Sequence, residues 1–334
     1  MADENGVDDS TKAEFEHLNE IYYSGECPSN HLFARWREIA FAIYEPEKLA
    51  ALSMDYHAKG THIIIAGHDH LDDDDRLRIS REACVNLTVL FHQAAETLLR
   101  MYLAHSQPSL CPWEEIAGLR DYGTFKSLIE KRFTPNGDDK EEELASILRA
   151  FLGPSNLETM DIGKDERALT REALENIYDI LSLFAKQFLE EAPFYNAIKH
   201  GMAVLSAEPF MYVNGFVFGS GPGLTCLHYE RVTLDDGTKA QRLDRRTMWI
   251  DADCYLALVK IAHDLIERLW DVARARYIGA DWTPGLPIFP PIHELLLGIM
   301  RENGKKVVLQ RTSQPTGIIR KRNLSWRKPR SAGK

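Results

Sequence analysis

TREALENIYDILSLFAKQFLE, Thr170 to Glu190, decides the fold class. Leu174, Ile177, Leu181, Phe184 and Phe188 recur there in alternating steps of three and four. That period puts all five on one stripe of an α-helix, which must be buried against other helices to be stable. Thr170 stands where an N-cap hydroxyl is useful.

Outward from this helix the same period returns. Upstream it predicts helices over Lys12–Tyr23, Asn30–Tyr44, Pro46–His57, Asp75 or Ser80 to His105, Gly123–Phe133 and Glu141–Leu152, with a short, partly apolar piece at Trp113–Leu119. The 75–105 helix is apolar at Leu87, Leu90, Phe91, Ala94, Ala95, Leu98, Leu99 and Tyr102, a stripe wide enough to face more than one neighbour. Glu96 and Arg100, four apart on its flank, read as a surface ion pair. Downstream, Asp251 caps a helix to Tyr277 with Leu258, Ala262, Leu265, Leu269 and Val272 inward, and a proline-rich linker over Thr283–Pro291 leads to a short helix at Ile292–Glu302. His263 reads as a packed or surface histidine.

Between the helices the composition changes. Pro209–Phe218, Leu224–Leu234 and Lys239–Ile250 are rich in Val, Thr, Tyr, Phe and Trp, and Asp235-Asp236-Gly237 is a hairpin turn signal. The expectation is a mainly α protein carrying a small antiparallel β-sheet insertion. Arg231, Arg242, Arg245 and Arg246 either form one basic sheet surface or are ordinary solvent-facing strand residues. The divisions read from sequence are an N-terminal helical extension (1–70), a helical bundle (71–208), a β-hairpin insertion (209–250), C-terminal helices packing on the bundle (251–304) and a basic tail (305–334).

The net charge is −10, yet residues 305–334 hold ten Lys or Arg and no Asp or Glu, so the remainder carries −20. Such a split is a charge-block pattern. Five scattered cysteines without a C-x-x-C pair argue for reduced thiols in the cytoplasm. The N-terminus is acidic and polar rather than secretory, and no apolar run approaches the length of a membrane span. Val307–Gln310 reads as a strand and the rest of the tail as mobile. Arg320, Lys321, Arg322, Arg327 and Lys328 around Trp326 suit phosphate binding with the indole stacking on a base; a basic tail touching its own acidic body fits equally.

The stretch that carries candidate chemistry is EAPFYNAIKHGMAV, Glu191 to Val204. If Tyr195–His200 is helical, Asn196 and His200 share a face and Lys199 lies on its edge. The imidazole exchanges protons near neutral pH, and the ammonium beside it suits a phosphate or developing oxyanion. A structural reading of the same residues is a helix stop: cations at the negative end of the dipole, then glycine.

FHQAAETLLRMYLAH (Phe91–His105), the helices after it and YNAIKHG together resemble the HEPN family, helical "higher eukaryotes and prokaryotes nucleotide-binding" domains. The resemblance covers about Arg81 to Leu205. It implies a HEPN-like bundle, a homodimer, and RNA as the partner. It also implies a metal-independent ribonuclease of toxin or defence type, without cofactors, that drives the ribose 2′-hydroxyl onto the adjacent phosphate. By position His200 matches the family histidine, in proton transfer, and Asn196 the polar residue that orients, with Lys199 contacting phosphate. The family arginine would fall at Pro193, Phe194 or Tyr195, where no basic residue stands, and this departure implies the alternative of a catalytically inactive HEPN-like binding module. Arg100 and His105 satisfy the same written pattern but lie about 140° apart around a helix, on different faces.

One further segment, THIIIAGHDHLDDDD (Thr61–Asp75), offers His62, His68, Asp69 and His70, and its GHDH is similar to the G-H-x-H end of metallophosphoesterases. Against a metal site stands a simpler role for the aspartates, as charges favoured at the positive N-terminus of the following helix. No metal is expected.

Overall fold

The structure is a computed structural model that describes residues 8–51, 54–58, 61–65, 70–133, 140–153, 160, 162–199, 204–207, 211–213, 216–219, 222–281, 285–291 and 311–321. The chain is mainly α-helical with a small antiparallel sheet, and it divides into two units. A helical unit comprises residues 1–192 and 251–306; a sheet unit comprises 193–250 and 307–334. The N-terminal segment expected as an extension belongs to the helical unit, and the basic tail belongs with the sheet.

The helical unit is built on α4 (Asp73–His105) and α9 (Ala252–Ile278), which share its largest helix–helix contact, with α1 (Asp9–Ser24) and α2 (Pro28–Tyr44) packed on them. All eight residues of the apolar stripe of α4 are fully buried. On α9, Leu258, Ala262, Leu265 and Leu269 are fully buried too, as their period requires. Each helix is started by an aspartate: Asp72 accepts from the Asp75 amide at 2.7 Å, and Asp251 from the Cys254 amide at 3.1 Å. Three more acids, Asp73–Asp75, fill the first turn of α4, where the dipole favours them.

The short α3 (Pro46–Ala50), α5 (Pro112–Gly118), α6 (Tyr122–Phe133) and α7 (Lys140–Leu152) precede α8, which spans Lys164–Lys199. The Leu174–Phe188 stripe faces inward along α8: Phe184 lies 5.7 Å from Phe91, and Phe188 stacks 4.4 Å from His92 and meets Phe125 edge-on at 5.5 Å. Thr170 is not a cap. It lies inside α8 and its hydroxyl donates back to the Glu166 carbonyl at 2.7 Å, because the helix begins six residues earlier. The helix also runs through Pro193, which removes one backbone donor without ending it. The boundary between the two units falls at that proline.

Two expectations change upstream. Pro46–His57 is helical only to Ala50; Met54–Ala58 (β1) pairs antiparallel with Thr61–Ile65 (β2). Three consecutive isoleucines favour a strand over a helix. Arg100 and Glu96 bond at 2.7 Å as expected, but Arg100 is largely buried: it donates to the Leu119 carbonyl and lies 4.1 Å over the Phe125 ring.

In the sheet unit, β6 (Gly223–Thr233) and β7 (Lys239–Trp249) form the expected hairpin across the Asp235–Gly237 turn, with Gly237 at φ +78°. They sit at the centre of a sheet ordered β3-β6-β7-β8, where β3 is Val204–Ala207 and β8 is Arg311–Lys321. The 209–218 run instead makes a separate hairpin of β4 (Met211–Val213) and β5 (Phe216–Gly219). Val307–Gln310, read as a strand, is outside the described residues; Arg311–Lys321, read as mobile, is instead a strand paired with β7. Pro315 falls at the register shift opposite Asp244, where a missing amide disturbs an edge strand least.

Candidate functional site: the exposed end of α8 and the basic sheet

Asn196 and Lys199 lie on the last turn of α8, both exposed, three residues apart. Phe194 and Ile198, between and beside them in sequence, are buried, so this turn is amphipathic with its polar side outward. The Lys199 Nζ stands 5.9 Å from the centre of the Tyr195 ring, close enough for a cation–π contact. His200 lies outside the described residues, as do Arg322, Trp326, Arg327 and Lys328. Arg320 and Lys321 close β8, opposite Gln241 and Ala240 of β7.

The unit that holds all of these is strongly basic. Residues 193–250 and 307–334 carry fourteen Lys or Arg and five Asp or Glu, a net charge of +9, which leaves −19 on the helical unit. Of that +9, residues 307–334 supply +8 and residues 193–250 supply +1, so the positive charge lies chiefly in the segment that contributes Arg311–Lys321 to the sheet.

Strand alternation sorts the four arginines that sequence left together. Arg242 points to the same face as Glu230 and Asp244, bonding the first at 2.6 Å and the second at 2.9 Å. Burial opposes charge on Asp244, but Arg242 and Arg246 hold its carboxyl below the usual range. Arg231 and Arg245, at odd positions, lie on the opposite face and are exposed. The signal was present in the sequence: once the turn fixes Thr233 opposite Lys239, parity assigns every residue of the hairpin to a face.

Arg100 and His105 do not form a site. His105 is 2% exposed; its Nδ1 lies 2.6 Å from the Met101 carbonyl and its Nε2 2.7 Å from the Tyr23 hydroxyl. A carbonyl only accepts, so Nδ1 carries the proton and Nε2 accepts from Tyr23. One turn away the Tyr102 hydroxyl donates to Glu143, whose carboxyl is pushed up by burial against the opposing pull of Arg132. Arg132 donates to Ser106 Oγ at 2.6 Å. These buried groups tie α1, α4, α6 and α7 together.

Of the proposed metal ligands, His62 lies in β2, His70 is exposed ahead of α4, and His68 and Asp69 are outside the described residues. A cluster that sequence reasoning passed over is His263, Asp264 and Glu267 on α9, with ligating atoms within 4.8 Å of one another. His263 Nδ1 is 3.0 Å from Asp264 and Nε2 3.5 Å from Glu267, while Lys260 already neutralises Asp264. The H-D-x-x-E spacing was its signal. Burial pushes the thiols of Cys84 and Cys254 up to about 11 and about 12, so neither is a nucleophile at neutral pH.

Among the described residues, no helix is long and apolar enough to cross a membrane. In comparisons with known proteins, no family model matches the chain, and neither a curated protein nor a solved structure matches it.

Proposed function

We propose that this is a cytoplasmic, HEPN-like protein that acts on RNA, binding it through the basic sheet unit and the exposed end of α8. The observation that carries the reading is the +9 charge collected on that unit within a chain of net charge −10, with Lys199 exposed on the same unit. Neutralising phosphates with such a surface releases counterions, which drives sequence-independent binding.

A second reading, metal-independent cleavage by a homodimer of toxin or defence type, is favoured by the exposure of both Asn196 and Lys199 on the turn that leads to His200. In it, His200 takes the proton of the 2′-hydroxyl as that oxygen attacks the adjacent phosphorus; the bond to the 5′-oxygen breaks, leaving a 2′,3′-cyclic phosphate, and the 5′-oxygen takes a proton from water, with Asn196 orienting and Lys199 gripping the phosphate. The missing arginine favours binding over cleavage.

Incubating the purified protein with single-stranded RNA in EDTA tests both. Retarded, intact RNA supports binding; fragments that disappear with His200→Ala support cleavage. RNA that neither shifts nor breaks at low salt would reject the proposal, and fragments unchanged in His200→Ala would reject the cleavage chemistry.

A further inference from the structure

We infer that the solvent-facing side of the β6–β7 hairpin is a platform for single-stranded RNA, with Tyr229 stacking on a base and Arg231 and Arg245 holding phosphates on either side. This rests on the reading of the chain as RNA-binding and names where the strand lies.

The two faces of the hairpin differ, although Leu243 on the outer face, opposite Tyr229, is only 8% exposed. Leu224, Cys226, Ala240 and Met248 are at most 3% exposed, on the inner face. On the outer face Leu205 is 71%, Leu227 62% and Tyr229 39% exposed. The Thr225 and Thr247 hydroxyls meet at 3.0 Å across the strands on that side, which fixes the assignment. Apolar groups so exposed on a sheet mark an interaction surface.

Charge decides what the surface takes. Leu227 stands opposite Arg245, Tyr229 opposite Leu243, Arg231 opposite Gln241 and Thr233 opposite Lys239. Residues two apart on one strand are about 7 Å apart, and diagonal cross-strand neighbours about 7–8 Å. Tyr229 therefore has Arg231 on one side along its own strand and Arg245 on the other side across the pair. Register also places Arg320 of β8 in the row of Arg231 and Gln241. Both carboxylates of the paired strands, Glu230 and Asp244, sit on the other face bound to Arg242, so no strand carboxylate faces this surface among the described residues. Asp235 and Asp236 stand only in the turn at the hairpin's tip.

An aromatic ring between two cations matches one ligand chemistry well: a π-face bounded by anions, as in an unpaired nucleotide and its neighbouring phosphates. Duplex RNA does not fit, because its bases are stacked on one another and out of reach. Base–aromatic stacking tolerates any sequence, in keeping with a charge-driven site.

The test uses the full chain and a fluorescent oligouridine of about 12 nucleotides, within the span of single-strand sites. Tyr229→Leu keeps the apolar surface and removes the large ring; it should weaken binding about tenfold while leaving the salt slope unchanged. Arg231→Glu and Arg245→Glu should each weaken binding about tenfold and flatten the salt slope, and Lys126→Glu on the helical unit should do neither. Thermal melting confirms that each variant is folded. Oligouridine affinity unchanged in all three sheet variants, but lost on deleting 322–334 or in Lys199→Glu, overturns the platform and leaves the RNA reading standing. Losses in the arginine variants without any in Tyr229→Leu overturn the stacking role. Wild-type protein that ignores oligouridine at low salt, or prefers vesicles of anionic lipid, removes both inferences together.

Discussion

Raising monovalent salt from about 50 to about 200 mM weakens binding of single-stranded RNA by about 10²–10³-fold, the change expected for roughly five to seven phosphates neutralised on a single strand. The sheet unit has fourteen basic residues from which to draw that number, and Arg242 is already committed to Glu230 and Asp244. The helical unit, at −19, repels the same ligand; salt screens that repulsion too, which offsets part of the loss. Fluorescence anisotropy across a salt series reads the slope of log Kd against log salt. A slope near zero would mean that phosphate contacts do not drive the interaction.

Acidification from pH 7 to pH 4 costs the fold about 3 kcal/mol through His105 alone. Burial lowers the His105 pKa from 6.5 to about 4, with Arg276 adding to the shift and the Met101 carbonyl opposing it. Between those values the unfolded chain binds a proton that the folded chain refuses, so stability falls as pH falls through this window and levels off below about pH 4. Denaturant unfolding of wild type and His105→Asn at both pH values isolates the effect. The stability advantage of wild type should shrink by about 3 kcal/mol on acidification; an advantage independent of pH would place the imidazole in contact with water.

Helices with continuous apolar stripes were legible from sequence because the 3.6-residue period depends on nothing outside the segment. The α4 stripe and the α8 seam from Leu174 to Phe188 are buried as read. The β6–β7 hairpin was legible for a similar reason, since its turn is local. Elements that depend on distant partners were not. β8 exists by pairing with β7, about seventy residues earlier in the sequence, so the tail's own composition did not point to Arg311–Lys321. The apolar period over Thr170–Glu190 does not fix where that helix ends, and α8 continues through Pro193 to Lys199. At the site, the exposed turn bearing Asn196 and Lys199 followed from spacing, whereas the separation of Arg231 and Arg245 from Arg242 and Arg246 required the register of the hairpin. The resemblance to HEPN domains implies RNA as the partner, and the charge division between the two units supports it.

We propose that RNA meets this chain on the basic sheet unit. Photo-crosslinking of 4-thiouridine-substituted single-stranded RNA to the full-length protein, followed by mass spectrometry of the modified peptides, tests it most directly. Crosslinks concentrated in residues 193–250 and 307–334, Tyr229 among them, are the predicted result; crosslinks confined to 1–192 and 251–306 would contradict it.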